Sequence, residues 1–214
     1  MTGRLLIIGT PIGNLGDMSV RALEGLKSAD VIYCEDTRVT GKLCQHFAIQ
    51  TKRWAYHEHN AEKVRPQILE QLAQGQTLAL VSDAGMPLIS DPGFKLIEAV
   101  IEAGIEPEVI PGPTALTSAL VLAGLPTDRF FFAGFMPQKQ GGRRSGLEEL
   151  KAIPATLVFY EGPSRLANFL TDAAEILGDR QAAVSREITK LYEQTKRGSL
   201  SELADLYHAT GAPK

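Results

Sequence analysis

The sequence predicts an α/β protein of two domains, and three observations predict it. The first half alternates short apolar runs with amphipathic stretches in the order βαβαβα, the pattern of a parallel sheet covered by helices. The apolar run Thr77-Leu78-Ala79-Leu80-Val81 empties into Ser82-Asp83-Ala84-Gly85-Met86-Pro87-Leu88-Ile89-Ser90-Asp91-Pro92-Gly93, a loop made of turn-forming and polar residues. Such a loop belongs at the carboxyl end of a buried parallel strand, where α/β proteins hold their ligands. After a polar, glycine-rich break at 136–146 the alternation resumes.

Arg4 to Gly9 reads as the first strand, and Ser19 caps a helix running through Val20, Ala22, Leu23 and Leu26. Asp30 to Cys34 is a second strand, Thr37 to His46 a short helix and Arg53 to Tyr56 a third strand. Ala61 to Gln74 is helical, with Asn60 as cap and Gly75 as stop; Pro66 moves its expected start toward Arg65. Thr77 to Ser82 is the central strand, and Gly93 to Ala103 a helix for which Asp91 is the simplest cap. Glu108 to Ile110, helix Thr114 to Ala123 and strand Phe130 to Ala133 complete a domain spanning 1–135. Residues 136–146, with Pro137, Gly141, Gly142, Arg143 and Arg144 and no apolar period, read as a linker. The second domain, 147–214, holds strand Ala155 to Tyr160, helix Ser164 to Leu177, strands Ala182 to Arg186 and Leu191 to Lys196, and helix Ser201 to His208. Gly211-Ala212-Pro213-Lys214 reads as a closing turn with no strand after it, as in a fragment of a longer product.

The chain has 214 residues, 44% of them hydrophobic, with a formal net charge of −3, which argues against coating nucleic acid by bulk charge. Cys34 and Cys44 have no metal-like spacing and suggest no disulfide framework, so a reducing cytoplasm is the expected compartment. The apolar N-terminal run is too short for a signal peptide or a membrane span. No two glycines are separated by one residue, so Gly-x-Gly-x-x-Gly is absent, and Gly41-Lys42 lacks the upstream glycine of a P-loop.

Glu35-Asp36-Thr37-Arg38 follows a strand and has two readings of equal weight, a helix cap with an ion pair or a substrate-facing group. Asp83 either bonds loop amides or faces a ligand. His57-Glu58-His59 lacks a third ligand at credible spacing, so no metal site is expected. Lys139, Arg143 and Arg144, with Arg186, Lys190, Lys196 and Arg197, are candidates for a surface that tracks phosphates; each cluster alone is more often a solvated face.

Seven blocks occur in order: Gly9-Thr10-Pro11-Ile12-Gly13-Asn14-Leu15-Gly16-Asp17, Glu35 to Arg38, Tyr56 to Asn60, Ser82 to Gly93, Pro111-Gly112-Pro113-Thr114-Ala115, Gly134-Phe135-Met136-Pro137, and Arg186-Glu187-Ile188-Thr189-Lys190. Together they resemble the ribosomal RNA small subunit methyltransferase I family of the tetrapyrrole methylase superfamily. The resemblance implies two α/β domains, a homodimer, and S-adenosylmethionine held in the cleft between the domains. It implies methyl transfer to a cytidine ribose 2′-oxygen in the decoding region of small-subunit rRNA, with naked rRNA or the 30S subunit as acceptor. Met86 departs from the threonine usual in the family, with little consequence if the backbone makes the contact. The family also continues past Pro213-Lys214 with a further strand, so part of the adenine pocket and RNA surface is expected beyond this sequence.

By the same resemblance, Ile12, Asp83, Gly85, Met86, Pro87, Ile89, Thr114, Ala115, Phe159, Tyr160 and Ser185 line the cofactor. Asn14, Arg38, Lys139, Arg143 and Arg144 fall on the substrate side, and Glu35, Asp36 and Arg186 are the catalytic candidates. A carboxylate of the Glu35-Asp36 pair is the choice of base. Positioning is worth ~7–11 kcal/mol against about 3–5 kcal/mol for a general base, so pocket residues matter as much as any base. Two alternatives stand beside this reading, a tetrapyrrole-type small-molecule methylase and a non-catalytic RNA-binding module on the same fold.

Overall fold

The computed structural model describes residues 3–211, so Ala212-Pro213-Lys214 of the expected closing turn lie outside the described residues. The chain divides into two compact units between Thr114 and Ala115. In the first, β1 (Arg4–Ile8), β2 (Val31–Cys34), β3 (Lys52–Ala55), β4 (Thr77–Val81) and β5 (Glu108–Ile110) form a sheet in the order β3-β2-β4-β1-β5. Every neighbouring pair is parallel. Its helices are α1 (Val20–Ser28), α2 (Thr37–His46), α3 (Ala61–Ala73) and α4 (Phe94–Glu102).

The strand period of two sorts the core onto two faces. Leu6, Ile8, Ile32, Cys34, Ala79 and Val81 pack with Ala22 and Leu26 of α1 and Cys44 of α2. Leu5, Val31, Tyr33, Leu78 and Leu80 face the other way, onto Ile68 and Leu72 of α3 and Leu96 and Val100 of α4. Ser19 caps α1 as expected, its side chain accepting from the Ala22 amide.

Pro66 does not delay α3, which begins at Ala61. The ring removes one helical N–H, a local cost of ~3 kcal/mol. Full burial of Ile68 and Leu72 offsets it, at roughly 1.5–3 kcal/mol for each side chain. Asn60 precedes the helix without a side-chain cap bond; it accepts from the His57 amide at 2.8 Å and donates to the Ala55 carbonyl at 2.9 Å. Asp91 likewise does not cap α4: Gly93 stands at that position with φ +140° and no side-chain cap bond.

The second unit contains α5 (Ala115–Ala123), β6 (Phe130–Phe135), α6 (Gln140–Leu150), β7 (Thr156–Tyr160), α7 (Leu166–Leu177), β8 (Gln181–Arg186), β9 (Gln194–Ser199) and α8 (Leu200–Thr210). β6 and β7 pair in parallel, β8 and β9 antiparallel. The boundary expected near residue 135 therefore lies earlier, because β6 belongs with β7. A parallel pair needs a crossover, and the expected linker 136–146 is part of it. Three glycines weaken α6, at ~1 kcal/mol each relative to alanine. Packing overrides them: Leu147 is fully buried, and a Cβ on Gly142 would stand 3.1 Å from Pro137.

The last hairpin also shifts. β9 begins at Gln194 rather than Leu191, and Leu191 and Tyr192 are exposed in the connecting loop. α8 carries a capping box in which Ser199 and Glu202 satisfy each other's backbone amides.

Candidate active site

In the first unit the loops after β1, β4 and β5 are joined at the carboxyl edge of the sheet. Thr10 and Gly85 exchange backbone hydrogen bonds of 2.9 and 3.1 Å, and the buried Thr10 hydroxyl donates to the Ser82 carbonyl at 3.3 Å. Gly9 and Gly112 touch back to back: a Cβ on Gly112 would lie 2.8 Å from the Gly9 backbone. A Cβ on Gly9 would lie 2.6 Å from Met86 Sδ, which places the Met86 side chain over the β1 exit.

Gly85 has φ +85°, and a Cβ there would meet Ile12 and Pro113 only at ordinary contact distance. Backbone conformation thus demands glycine more than lack of space does. Leu88 and Ser90 also have positive φ, at 72° and 64°, an uncommon state for residues with side chains. Such strain gathers where a loop is held for a purpose. Pro87 is buried and Ile89 exposed.

The carboxylates separate into two kinds. Asp36 caps α2, accepting from the Arg38 amide at 2.8 Å, and pairs with the Arg38 guanidinium at 2.6 Å. The Arg38 hydrogen bonds hold its carboxyl down at about 2. Asp83 accepts from the Asp36 amide at 3.0 Å, so it bonds a loop amide from a neighbouring strand end. Burial pushes the Glu35 carboxyl up, and Asp83 and Asp91 push it further, against a pull from His57. Burial also raises Asp91, opposed by a Ser82 hydrogen bond and reinforced by Asp83. Asn14 is engaged locally: its side chain accepts from the Gly16 amide at 2.9 Å. Among the described residues no group of three or more His, Cys, Asp or Glu is arranged to hold a metal ion.

In the second unit, Ala115, Phe159, Tyr160, Ser185 and Arg186 line one cavity of about 740 Å³. β7 and β8 each supply a wall, and among the described residues each has a strand partner on one side only. Ser185 shares a hydrogen bond with Thr195 at 2.9 Å, and Arg186 donates to Gln194 at 3.3 Å. Thr114 ends the first unit, outside this lining.

Glu161 also lines the cavity and was missed in the sequence. Its carboxylate, 6% exposed, takes the Arg165 guanidinium and the Gly162 amide, both at 2.6 Å. The signal was present: Gly162-Pro163 follows an apolar strand, as in the loops that were singled out.

The expected phosphate-binding group is corrected at Arg143. Its side chain is 6% exposed and pairs with Asp172, itself 2% exposed, at 2.5 Å. Arg144 adds a 2.9 Å bond to Asp172 and pairs with Glu175. Burial alone would raise Asp172, but hydrogen bonds from Arg143, Gln140 and Arg144 hold its carboxyl below the usual carboxylate range. These arginines fasten α6 to α7, whereas Lys139 is exposed. Arg197 is exposed but engaged, donating to the Ala123 carbonyl at 3.1 Å and to the Leu122 carbonyl.

Residues 4–204 match the model of the Tetrapyrrole (Corrin/Porphyrin) Methylases. A Mesorhizobium japonicum protein named Ribosomal RNA small subunit methyltransferase I is 50% identical, over 98% of this chain and 72% of the relative. The chain belongs to that family. Namesakes in Escherichia coli O157:H7 and Thermotoga maritima are 48% and 46% identical, each over 94% of this chain and over 71% and 90% of their own lengths. The family's fold is also visible in more distant solved structures. Cobalt precorrin-4 methyltransferase, a cobalamin biosynthetic enzyme, superimposes with a TM-score of 0.71 at 19% identity, over 99% of this chain and 91% of its own. Uroporphyrin-III C-methyl transferase from Thermus thermophilus, complexed with S-adenyl homocysteine, gives 0.63 at 22%, over 95% and 91%. Among the described residues no helix is long and apolar enough to cross a membrane.

Proposed function

We propose that the protein is an S-adenosylmethionine-dependent methyltransferase acting on small-subunit rRNA, and that its acceptor is the ribose 2′-oxygen of a cytidine in the decoding region. The observation that carries this reading is identity of about one half, across nearly the whole chain, to relatives named for small-subunit rRNA methylation. The donor fits the residues present. Gly85, Met86 and Ile12 sit in the loop cluster at the carboxyl end of the sheet, where Gly85, Leu88 and Ser90 hold left-handed backbone and where α/β proteins hold their ligands. Ala115, Phe159, Tyr160 and Ser185 offer an aromatic and apolar wall with a hydroxyl. The proposed donor-binding residues are these together with Asp83, Pro87, Ile89 and Thr114.

When bound, S-adenosylmethionine supplies a methyl group on a sulfonium, an electrophile that needs no metal. The chain's part is to orient the acceptor and take its proton. Glu35 is the better base of the pair: burial raises its carboxyl, while Asp36 caps α2, is ion-paired and is held at about 2. Asp36 instead positions Arg38. Arg186 and Asn14 complete the acceptor side in this reading.

The test is methyl transfer from labelled S-adenosylmethionine to unmodified small subunits and to naked rRNA in parallel. Label on one cytidine ribose supports the proposal. No label on either acceptor, with donor affinity intact, sinks it and favours a small-molecule acceptor.

A further inference from the structure

The formal charge of −3 hides an uneven distribution. Residues 37–65 carry six lysines and arginines, two acidic side chains and three of the four histidines. In the fold this stretch is α2, the edge strand β3 and the start of α3, so the positive charge collects along one edge of the first unit's sheet.

Arg38, Lys42 and His46 recur every fourth residue on α2, and all three are exposed. Positions four apart on a helix lie about 6 Å apart on one face, so the three form a stripe. It starts beside Asp36, at the carboxyl end of β2, and α2 itself contains no acidic residue. Lys42, Lys52 and Lys63 enter no ion pair among the described residues.

β3 pairs with β2 along one edge, and among the described residues no strand covers the other. Lys52 and Trp54, two residues apart, share a face of β3 and are both exposed. Trp54 is the only tryptophan in the chain. Its ring meets Tyr33 edge-on at 5.9 Å and 86°, a contact that steadies the indole while leaving ring surface at the open edge.

We infer that this edge is a single-stranded RNA track leading to the acceptor site: Arg38, Lys42, His46 and Lys52 follow the backbone phosphates, and Trp54 stacks a base beside Lys52. A solvated basic face would account for the lysines alone. An anchored, exposed aromatic beside Lys42 and Lys52, which enter no ion pair among the described residues, is instead the combination that holds single strands. The inference rests on the proposed rRNA acceptor, and it moves the RNA surface away from the α6 arginines.

The experiment titrates a fluorescein-labelled single-stranded RNA into the full chain by anisotropy, from low to moderate salt. It compares wild type with Trp54→Ala and with the double variant Lys42→Ala/Lys52→Ala. Trp54→Ala is expected to weaken binding about thirtyfold, the middle of the range for one stacked base. The double variant is expected to lower the slope of log affinity against log salt by ~1.4, at roughly 0.7 for each lost phosphate contact on a single strand. Thermal melting and donor affinity of each variant are measured alongside; because Trp54→Ala touches Tyr33, the lysine variant decides if that protein melts early. Unchanged affinity and slope in the folded lysine variant overturn the inference, as does a wild type that binds no RNA. If wild type binds RNA with the expected slopes but methylates no rRNA, the track stands and the proposed acceptor falls.

Discussion

Replacing Arg143 with methionine removes a charge from the second unit while keeping most of the side chain's volume. In an RNA-contact role, the change would weaken RNA binding and leave stability alone. The structure predicts the reverse. The Arg143–Asp172 pair is 6% and 2% exposed, so the variant strands a buried carboxylate. Breaking one side of a buried pair costs ~3–5 kcal/mol. Arg144 at 2.9 Å and Gln140 at 3.2 Å still donate to Asp172, which places the loss near the lower end. At roughly 2–4 °C per kcal/mol for a chain of this size, a loss of ~3 kcal/mol lowers Tm by about 6–12 °C. Thermal melting by circular dichroism measures this, with RNA affinity taken well below the transition. The double variant Arg143→Met/Asp172→Leu removes both charges and should recover most of the loss, because an apolar pair replaces the ionic one. A single variant with wild-type Tm and reduced RNA affinity would refute the assignment of Arg143 to the α6–α7 contact.

Gly112→Ala should destabilise the chain more than Gly85→Ala. The first drives a Cβ to 2.8 Å from the Gly9 backbone, whereas the second meets open contact distances and carries only the strain of φ +85°, about 1–3 kcal/mol; urea denaturation ranks them, and the opposite order refutes the argument. Gly85→Val should also lose donor affinity by calorimetry, since a β-branched residue at positive φ displaces the loop. Pro66→Ala should stabilise the first unit by ~2 kcal/mol, the helix penalty less the entropy proline removes from the unfolded chain; a lower Tm would contradict this. For Glu35, the folded value lies above the unfolded one, so its favourable contribution exists below the ordinary carboxylate pKa and is lost as pH rises through the folded value. Glu35→Gln should therefore raise Tm at pH 7, lose that advantage near pH 4, and suppress methyl transfer. Equal melting at both values would remove the buried-carboxyl argument.

Much of the first unit was legible because its cues are local. Period-two strands, Ser19 as a cap and the Gly-Pro loops after β1, β4 and β5 depend on a few neighbouring residues, and the strand order βαβαβ leaves few parallel arrangements. The positions of Gly85, Glu35, Asp36 and Asp83 at one sheet edge follow from the same cues. Glu35 and Asp36 differ, however, in ways only partly local: burial with the distant Asp83 and Asp91 acts on the one, and Arg38, two residues on, acts on the other.

The second unit shows where local reading stops. Residues 136–146 look like a linker because they are polar, glycine-rich and basic with no apolar period, yet Asp172 and Glu175, some thirty positions away, turn Arg143 and Arg144 into fasteners. Leu191 and Tyr192 looked like strand and are loop, because registration with β8 fixes where β9 begins. By itself the sequence determined the fold class, the family and which loops sit at strand ends, since these depend on periodicity and short motifs. Tertiary structure alone decided which charges are buried, which carboxyl is raised and which cations remain open to a ligand. Those properties depend on burial and on long-range partners, and residue order carries no direct record of either.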